Sequence, residues 1–259
     1  MSIGRIKSLY AYRHSLWDLA VKQFKSRYAN SLLGIWLAIV NPLLIMLAVT
    51  FVFSVIFKIE IEDFPFFALA GIFPWMFFSG ALSEATNSIL NQKSMLRQFN
   101  LPGEIIPISS ILSNFLNFLV GWCLIYPVFL FFNPKIIKLF PFVVVLFLLH
   151  FLFICGLGLI FSCLNVFFRD IGLLLGVFLM FWFWVTPIFY SIEMVPGDFR
   201  WICNINPMTP FIVFYRDVFF QGNIPPPLIW NAVWIWTVLS LILGFSLFAK
   251  FEARLLKEI

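Results

Sequence analysis

Residues 139–168 read LFPFVVVLFLLHFLFICGLGLIFSCLNVFF, thirty consecutive positions without Asp, Glu, Lys or Arg. A helix rises about 1.5 Å per residue, so about 20 residues cover a hydrocarbon core ~30 Å thick. This stretch exceeds that need. Five more uncharged stretches occupy 28–57, 64–83, 105–134, 171–192 and 218–249, and each holds at least 20 residues. A seventh, 201–215, has only 15 residues, contains Pro207 and Pro210, and is bounded by Arg200 and Arg216. Its length suits a re-entrant or interfacial segment. The expected fold class is therefore an all-α polytopic membrane protein with six transmembrane helices, at 31–57, 64–90, 107–132, 139–166, 171–191 and 228–250. An amphipathic interface helix is expected within 1–30, a cytoplasmic connection at 91–106, and short re-entrant external helices within 192–227.

Composition agrees with that reading. The 259 residues are 62% hydrophobic, 20% aromatic and 11% charged, far from the average of soluble domains. The first 30 residues are basic and amphipathic, without a short apolar core and small-residue cleavage site, so no signal peptide is expected to be removed.

Six spans put both termini on one side, and the cations say which. A cytoplasmic N-terminus places Arg5, Lys7, Arg13, Lys22, Lys25, Arg27, Lys93, Arg97, Arg169, Lys250, Arg254 and Lys257 inside, and Lys58, Lys135, Lys138, Arg200 and Arg216 outside. Twelve against five in short loops is the asymmetry of the positive-inside rule. The net charge of +5 then reports topology, not nucleic-acid binding. Both termini are therefore expected on the cytoplasmic side.

Within the N-terminal segment Trp17, Ala20, Val21, Phe24 and Tyr28 recur at three- and four-residue steps, the pattern of a helix lying in the membrane surface. It serves either as an anchor for the first span or in handling substrate. Asn41-Pro42 predicts a kink or loosened turn in that span. In the 91–106 connection, Gln92 to Gln98 are expected to form one or two helical turns before Leu101-Pro102-Gly103. Met95 and Leu96 are apolar residues between Lys93 and Arg97, either a plain solvated turn or a knob for a cytoplasmic partner.

Several chemistries have no residues to carry them. There is no Gly-x-x-x-x-Gly-Lys-Ser/Thr phosphate loop and no metal-ligand spacing of His, Cys and carboxylates, so neither ATP nor a metal is expected to bind this chain. Ionisable groups are scarce inside the spans, which argues against a proton- or sodium-coupled carrier. His150 reads as a neutral histidine hydrogen-bonded to a neighbouring helix. Gly172 and Gly176 form a Gly-x-x-x-Gly pair, a signal for close helix packing. The 36 Phe, 10 Trp and 6 Tyr are suited to interface anchoring and packing, and also to lining a pore on which sugar faces slide.

The motifs, taken in order, resemble a known family. Arg27-Tyr28, Ser31-Leu32-Leu33-Gly34-Ile35-Trp36 and Asn41-Pro42 are similar to the opening of ABC-2 permeases that export polysaccharides. Leu101-Pro102-Gly103-Glu104-Ile105-Ile106-Pro107 resembles their cytoplasmic loop after span two, and Phe168-Arg169-Asp170-Ile171 their turn after span four. Thr186-Pro187-Ile188-Phe189-Tyr190, Val195-Pro196 and Asn206-Pro207-Met208 resemble their external segment. The likeness is to the permease subunits of O-antigen exporters, the Wzm type; capsular and teichoic-acid exporters share these signatures. Gly103 departs from the pattern, since many relatives carry a charge there.

The resemblance implies a homodimer enclosing a channel, paired with two copies of a separate ABC nucleotide-binding subunit that holds ATP and Mg, so that this permease is not itself an enzyme. It implies lipid-linked polysaccharide as substrate. Coupling to the ATPase is then expected at Gln92, Lys93, Met95, Leu96 and Arg97. The sugar path is expected at Trp36, Trp184, Phe189 and Tyr190, and the interface helix at Trp17, Phe24 and Tyr28. The alternatives left open are export of teichoic acid, drugs or lipids, or a membrane enzyme acting on lipid-linked sugars.

Overall fold

The computed structural model describes residues 10–28, 37–56, 61–98 and 102–258. Within them the chain forms α1 (Arg13–Tyr28), α2 (Leu37–Thr50), α3 (Phe64–Asn91), α4 (Lys93–Gln98) and α5 (Ile105–Phe132). There follow α6 (Phe140–Phe167), α7 (Ile171–Val185), α8 (Arg200–Ile205), α9 (Thr209–Arg216) and α10 (Pro227–Glu258). No strand occurs among the described residues. Four helices are long and apolar enough to cross a membrane, over Phe64–Asn91, Ile105–Phe132, Pro134–Phe167 and Pro227–Glu252. α3, α5 and α6 have 28 residues each, about 42 Å of helix.

The two remaining apolar stretches form shorter helices. α7 has 15 residues and ends at Val185, whereas 171–191 was expected to be helical. Pro187 explains the stop: it pushes the preceding Thr186 out of the helical region, and Thr186 is extended at φ −81, ψ 133. α2 runs through Asn41-Pro42 without a break in assignment, and the loosened winding comes later, as a π-helical turn at Phe51–Ile56. The start of the first expected span, 31–36, lies outside the described residues.

α6 is the central post, with α3, α5 and α10 packed around it. Its closest approach is to α10. A Cβ on Gly156 would lie 2.3 Å from the carbonyl carbon of Ser240, and one on Gly244 would lie 2.3 Å from the Gly156 oxygen. Ser240 and Gly244 are four residues apart, so they face α6 together and let the two backbones touch. This corrects the Gly-x-x-x-Gly expectation. Gly172 does sit tightly, with a Cβ there falling 2.7 Å from Asn87 Oδ1, but Gly176 faces open space.

The segment after α8 returns into the bundle. α9 and the π-helical turn Asp217–Gln221 insert Phe211, Phe214, Tyr215 and Phe219, all essentially without exposure. Phe219 stacks on Trp122 of α5 at 4.0 Å between ring centroids, and Phe211 packs 4.9 Å from Phe153 of α6. His150 meets the Tyr215 hydroxyl through Nδ1 at 3.1 Å, so the neighbouring helix it was expected to bond is α9 of this inserted segment. His150 is ten residues into α6, so α9 reaches about 15 Å down that helix. Gly222 reverses the chain at φ 68, where a Cβ would meet Asn133 Nδ2 at 2.5 Å.

Candidate functional site

At one end of the bundle α3 runs into α4 through a single residue, Gln92, whose N–H donates to Ser88 O at 3.1 Å and whose carbonyl accepts from Met95 N at 3.1 Å. α4 presents one face inward. Leu96 is only 5% exposed and belongs to the core, while Lys93 and Met95 are half-buried and Ser94 and Gln98 are exposed. Of the expected coupling residues, Leu96 is thus an anchor rather than a knob, because a six-residue helix on a bundle end must bury one face to hold its place. The side chain of Arg97 lies outside the described residues.

α1 lies beside this end against α5, and its polar residues make the contact. Gln23 Nε2 donates to Ser109 Oγ at 3.4 Å and Arg27 Nη1 to Asn114 Oδ1 at 3.0 Å. Arg27 pairs with Glu84 of α3, Asn114 Nδ2 donates to the same carboxylate at 2.8 Å, and Tyr28 bonds Asn117 through its hydroxyl. An ion pair this open contributes about 0–1 kcal/mol by itself, so the asparagines supply the geometry. Leu19 and Ala20 are buried beneath the helix, Phe24 packs edge-on to Tyr28 at 5.3 Å, and Trp17 is 51% exposed. The expected apolar stripe is therefore split: Ala20 packs inward and Trp17 points away. A cleft of about 530 Å³ opens between α1 and α3, lined by Gln23, Arg27, Glu84, Asn87, Asn91 and Gln92 among others. Amides and hydroxyls on its walls are hydrogen-bonding partners of the kind a carbohydrate or water uses.

The opposite end gathers three of the four expected path residues. Phe189 packs on Phe183 at 5.3 Å, on Phe53 at 5.5 Å and on Trp184 at 6.1 Å. Phe189 is buried, whereas Trp184 is exposed. The Tyr190 hydroxyl donates to Val185 O at 3.0 Å and lies 3.1 Å from Trp184 O, satisfying carbonyls that the end of α7 leaves without helical partners. Trp36 lies outside the described residues.

A cation that the sequence marked only as a boundary holds this turn in place. Arg216, at the end of α9, is 5% exposed; its Nη1 donates to Tyr190 O at 3.0 Å and its Nη2 to Ile188 O at 2.5 Å. Its guanidinium sits 3.6 Å over the Phe67 ring. Gly71 gives it room, since a Cβ there would come within 3.0 Å of Ile188 O and 3.4 Å of Arg216 Nη2. Glu193 lies nearby, and hydrogen bonds, first from Ser191 and then from its own backbone, hold its carboxyl below the usual range. Asn165 was missed altogether, and Asn206 was singled out only as part of a family motif. Asn165 and Asn206 are buried and each bonds through both carboxamide atoms. The available signal for Asn165 was a lone amide inside an otherwise apolar stretch.

The model of the family described as ABC-2 type transporter matches residues 14–220, through both of these ends. The chain belongs to that family. As an ABC-2 membrane chain it is similar along almost its whole length to proteins of known kind. It is 30% identical over 246 residues to the O-antigen export system permease protein RfbA of Klebsiella pneumoniae, covering 92% of this chain and 94% of the relative. A protein of the same name from Myxococcus xanthus is 28% identical, covering 97% and 96% respectively. The polysialic acid transport protein KpsM of Escherichia coli is 22% identical, covering 92% and 93%. The resemblance drawn from short motifs therefore extends over the whole fold, as a multi-pass membrane permease.

Proposed function

We propose that this chain is the transmembrane subunit of an ATP-driven exporter that moves lipid-linked polysaccharide outward across the bacterial inner membrane. The observation that carries the proposal is the end-to-end similarity to relatives named as O-antigen export permeases, with polysialic acid transport proteins more distant. Polysaccharide is accordingly preferred over teichoic acid, drugs or small lipids as cargo. In this reading α2 with its π-helical turn and α7 complete six spans, both termini are cytoplasmic, and α8 and α9 are re-entrant from the outer face. The depth of α9 beside His150 supports that last point.

The subunit works as a homodimer with two ABC nucleotide-binding subunits, which hold ATP and Mg. Gln92, Lys93, Met95 and Arg97 receive the ATPase, with Leu96 fastening α4 to the core. Trp17, Phe24 and Tyr28 belong to the helix beside the cytoplasmic mouth. Trp36, Trp184 and Tyr190 face the sugar path, and Phe189 backs Trp184 from beneath.

The test is copurification with the ATPase subunit and reconstitution with lipid-linked glycan. Glycan-stimulated ATP hydrolysis and ATP-dependent delivery of polymer across the bilayer are expected. Changing Lys93, Met95 and Arg97 together to Ala, with Leu96 kept, should leave the permease folded and export lost. Undiminished export by that variant would remove α4 from the mechanism, and a complex that hydrolyses ATP but moves no glycan would remove the cargo.

A further inference from the structure

We propose that Asn165 is a positioning residue that makes the foot of α7 follow α4. The inference rests on the reading of α4 as the ATPase contact. α7 is loosely enclosed: only Leu175 and Leu179 are buried, and a groove of about 370 Å³ separates it from α3, walled by Trp75, Ser79, Gly80, Gly176 and Phe183 among others. Its side-chain hydrogen bonds to the rest of the described protein are gathered at its two ends. At the outer end Trp182 Nε1 donates to Asn206 Oδ1 at 2.7 Å, and Asn206 Nδ2 donates to Thr186 Oγ1 at 2.9 Å. At the other end the Gly172 N–H donates to Asn165 Oδ1 at 2.8 Å, while Asn165 Nδ2 donates to Thr86 O at 3.0 Å and to Asn87 Oδ1 at 3.2 Å.

The lower pin joins three helices through one fully buried carboxamide. Gly172 lies in the first turn of α7, whose N–H groups have no partner within the helix, so Asn165 supplies one. Thr86 and Asn87 lie in the last turns of α3, and Gln92 alone separates α3 from α4. A push on α4 therefore acts on the rigid end of α3, and the carboxamide passes it to α7. Gly172 allows the close approach, because a Cβ there would lie 2.7 Å from Asn87 Oδ1. The groove beside α7 leaves space for the helix to rock about its outer pin. Spatial continuity alone is a weak warrant for coupling, so the proposal stands on a measurement that separates the motions of α4 and α7.

In the complete complex with its ATPase, spin labels are placed at Ser94 on α4, at Asp170 at the foot of α7, and at Val238 on α10 as reference; all three are exposed. Distances to Val238 are measured by pulsed electron resonance with and without ATP. In the wild-type background both the Ser94 and Asp170 distances should shift. In Asn165→Leu the Ser94 shift should persist and the Asp170 shift fall at least several-fold, with ATP hydrolysis within about twofold of wild type and glycan export down at least tenfold. Gly172→Ala keeps Asn165 but crowds both carboxamides of the joint, its Cβ falling 2.7 Å from Asn87 Oδ1 and 3.3 Å from Asn165 Oδ1; should Asn165→Leu fail to assemble, this variant should show the same split more weakly. An Asp170 shift of full size in an assembled variant would overturn the relay, as would a wild-type complex in which either label ignores ATP. A wild-type complex whose labels respond but which exports no glycan would instead overturn the cargo and leave the relay standing.

Discussion

α10 and α7 are both apolar helices of the same bundle, and both belong to pairs of small residues four apart, yet their surroundings are opposite. Ser240 and Gly244 bring α10 into backbone contact with Gly156 of α6, and Thr237 Oγ1 reaches the Leu149 carbonyl at 3.3 Å. α7 leaves Leu173, Val177, Met180 and Phe181 strongly exposed, and a Cβ on Gly176 would meet nothing within 4 Å. One helix is fused to the central post and the other is hung from its ends. A small-residue spacing gives a helix the ability to pack closely; whether it does depends on a complementary face opposite. In the proposed exporter the α6–α10 contact around Gly156 is the fixed frame, the Asn165 end of α6 carries the joint, and the hung helix is the movable wall.

Substitutions can break this contrast, beginning with the fused pair. Gly156→Leu would drive a side chain into the Ser240 and Leu241 backbone, and a loss of about 3 kcal/mol or more is expected, read as failure to purify or a large drop in thermal midpoint. Arg216→Ala leaves Ile188 O and Tyr190 O without their charged donor; about 2–3 kcal/mol should be lost, with Arg216→Lys recovering part of it in the same melting assay. Trp182→Phe removes a single donor from the outer pin and should cost about 1 kcal/mol, which calorimetry in nanodiscs would resolve as a drop of a few degrees. Gly176→Ala should fall within about 0.5 kcal/mol of the parent, because its methyl enters open space. A Gly176→Ala penalty near that of Gly156→Leu would show that α7 is packed as tightly as α10, and the contrast would fail.

Much of the architecture could be read in advance because the bilayer is an undemanding solvent to read against. A long uncharged stretch must satisfy its own backbone, so helices at 64–91, 105–132, 140–167 and 227–258 appear close to where charge counting puts them. The fifth expected span, 171–191, is too long, because Pro187 ends α7 at Val185. The site was less legible. Leu96 looked like a partner knob since it stands between Lys93 and Arg97 in sequence, but the turn of α4 sends it into the core. Arg216 looked like a boundary charge and is instead buried under two carbonyls and a ring. The polar contacts of α1 with α5 span 86 to 89 residues of sequence, a separation at which local pattern carries no information.

The sequence by itself determined that the chain is helical, membrane-embedded and of the ABC-2 kind, because charge-free length and short motifs are local properties. Only the tertiary structure decided which small residues touch and which aromatics are covered. It also decided how deep α9 reaches, and that α7 is held by Asn165 and Asn206. Those are relations between surfaces far apart in the chain, and a carboxamide or a glycine has the same letter whether it closes a joint or faces empty space.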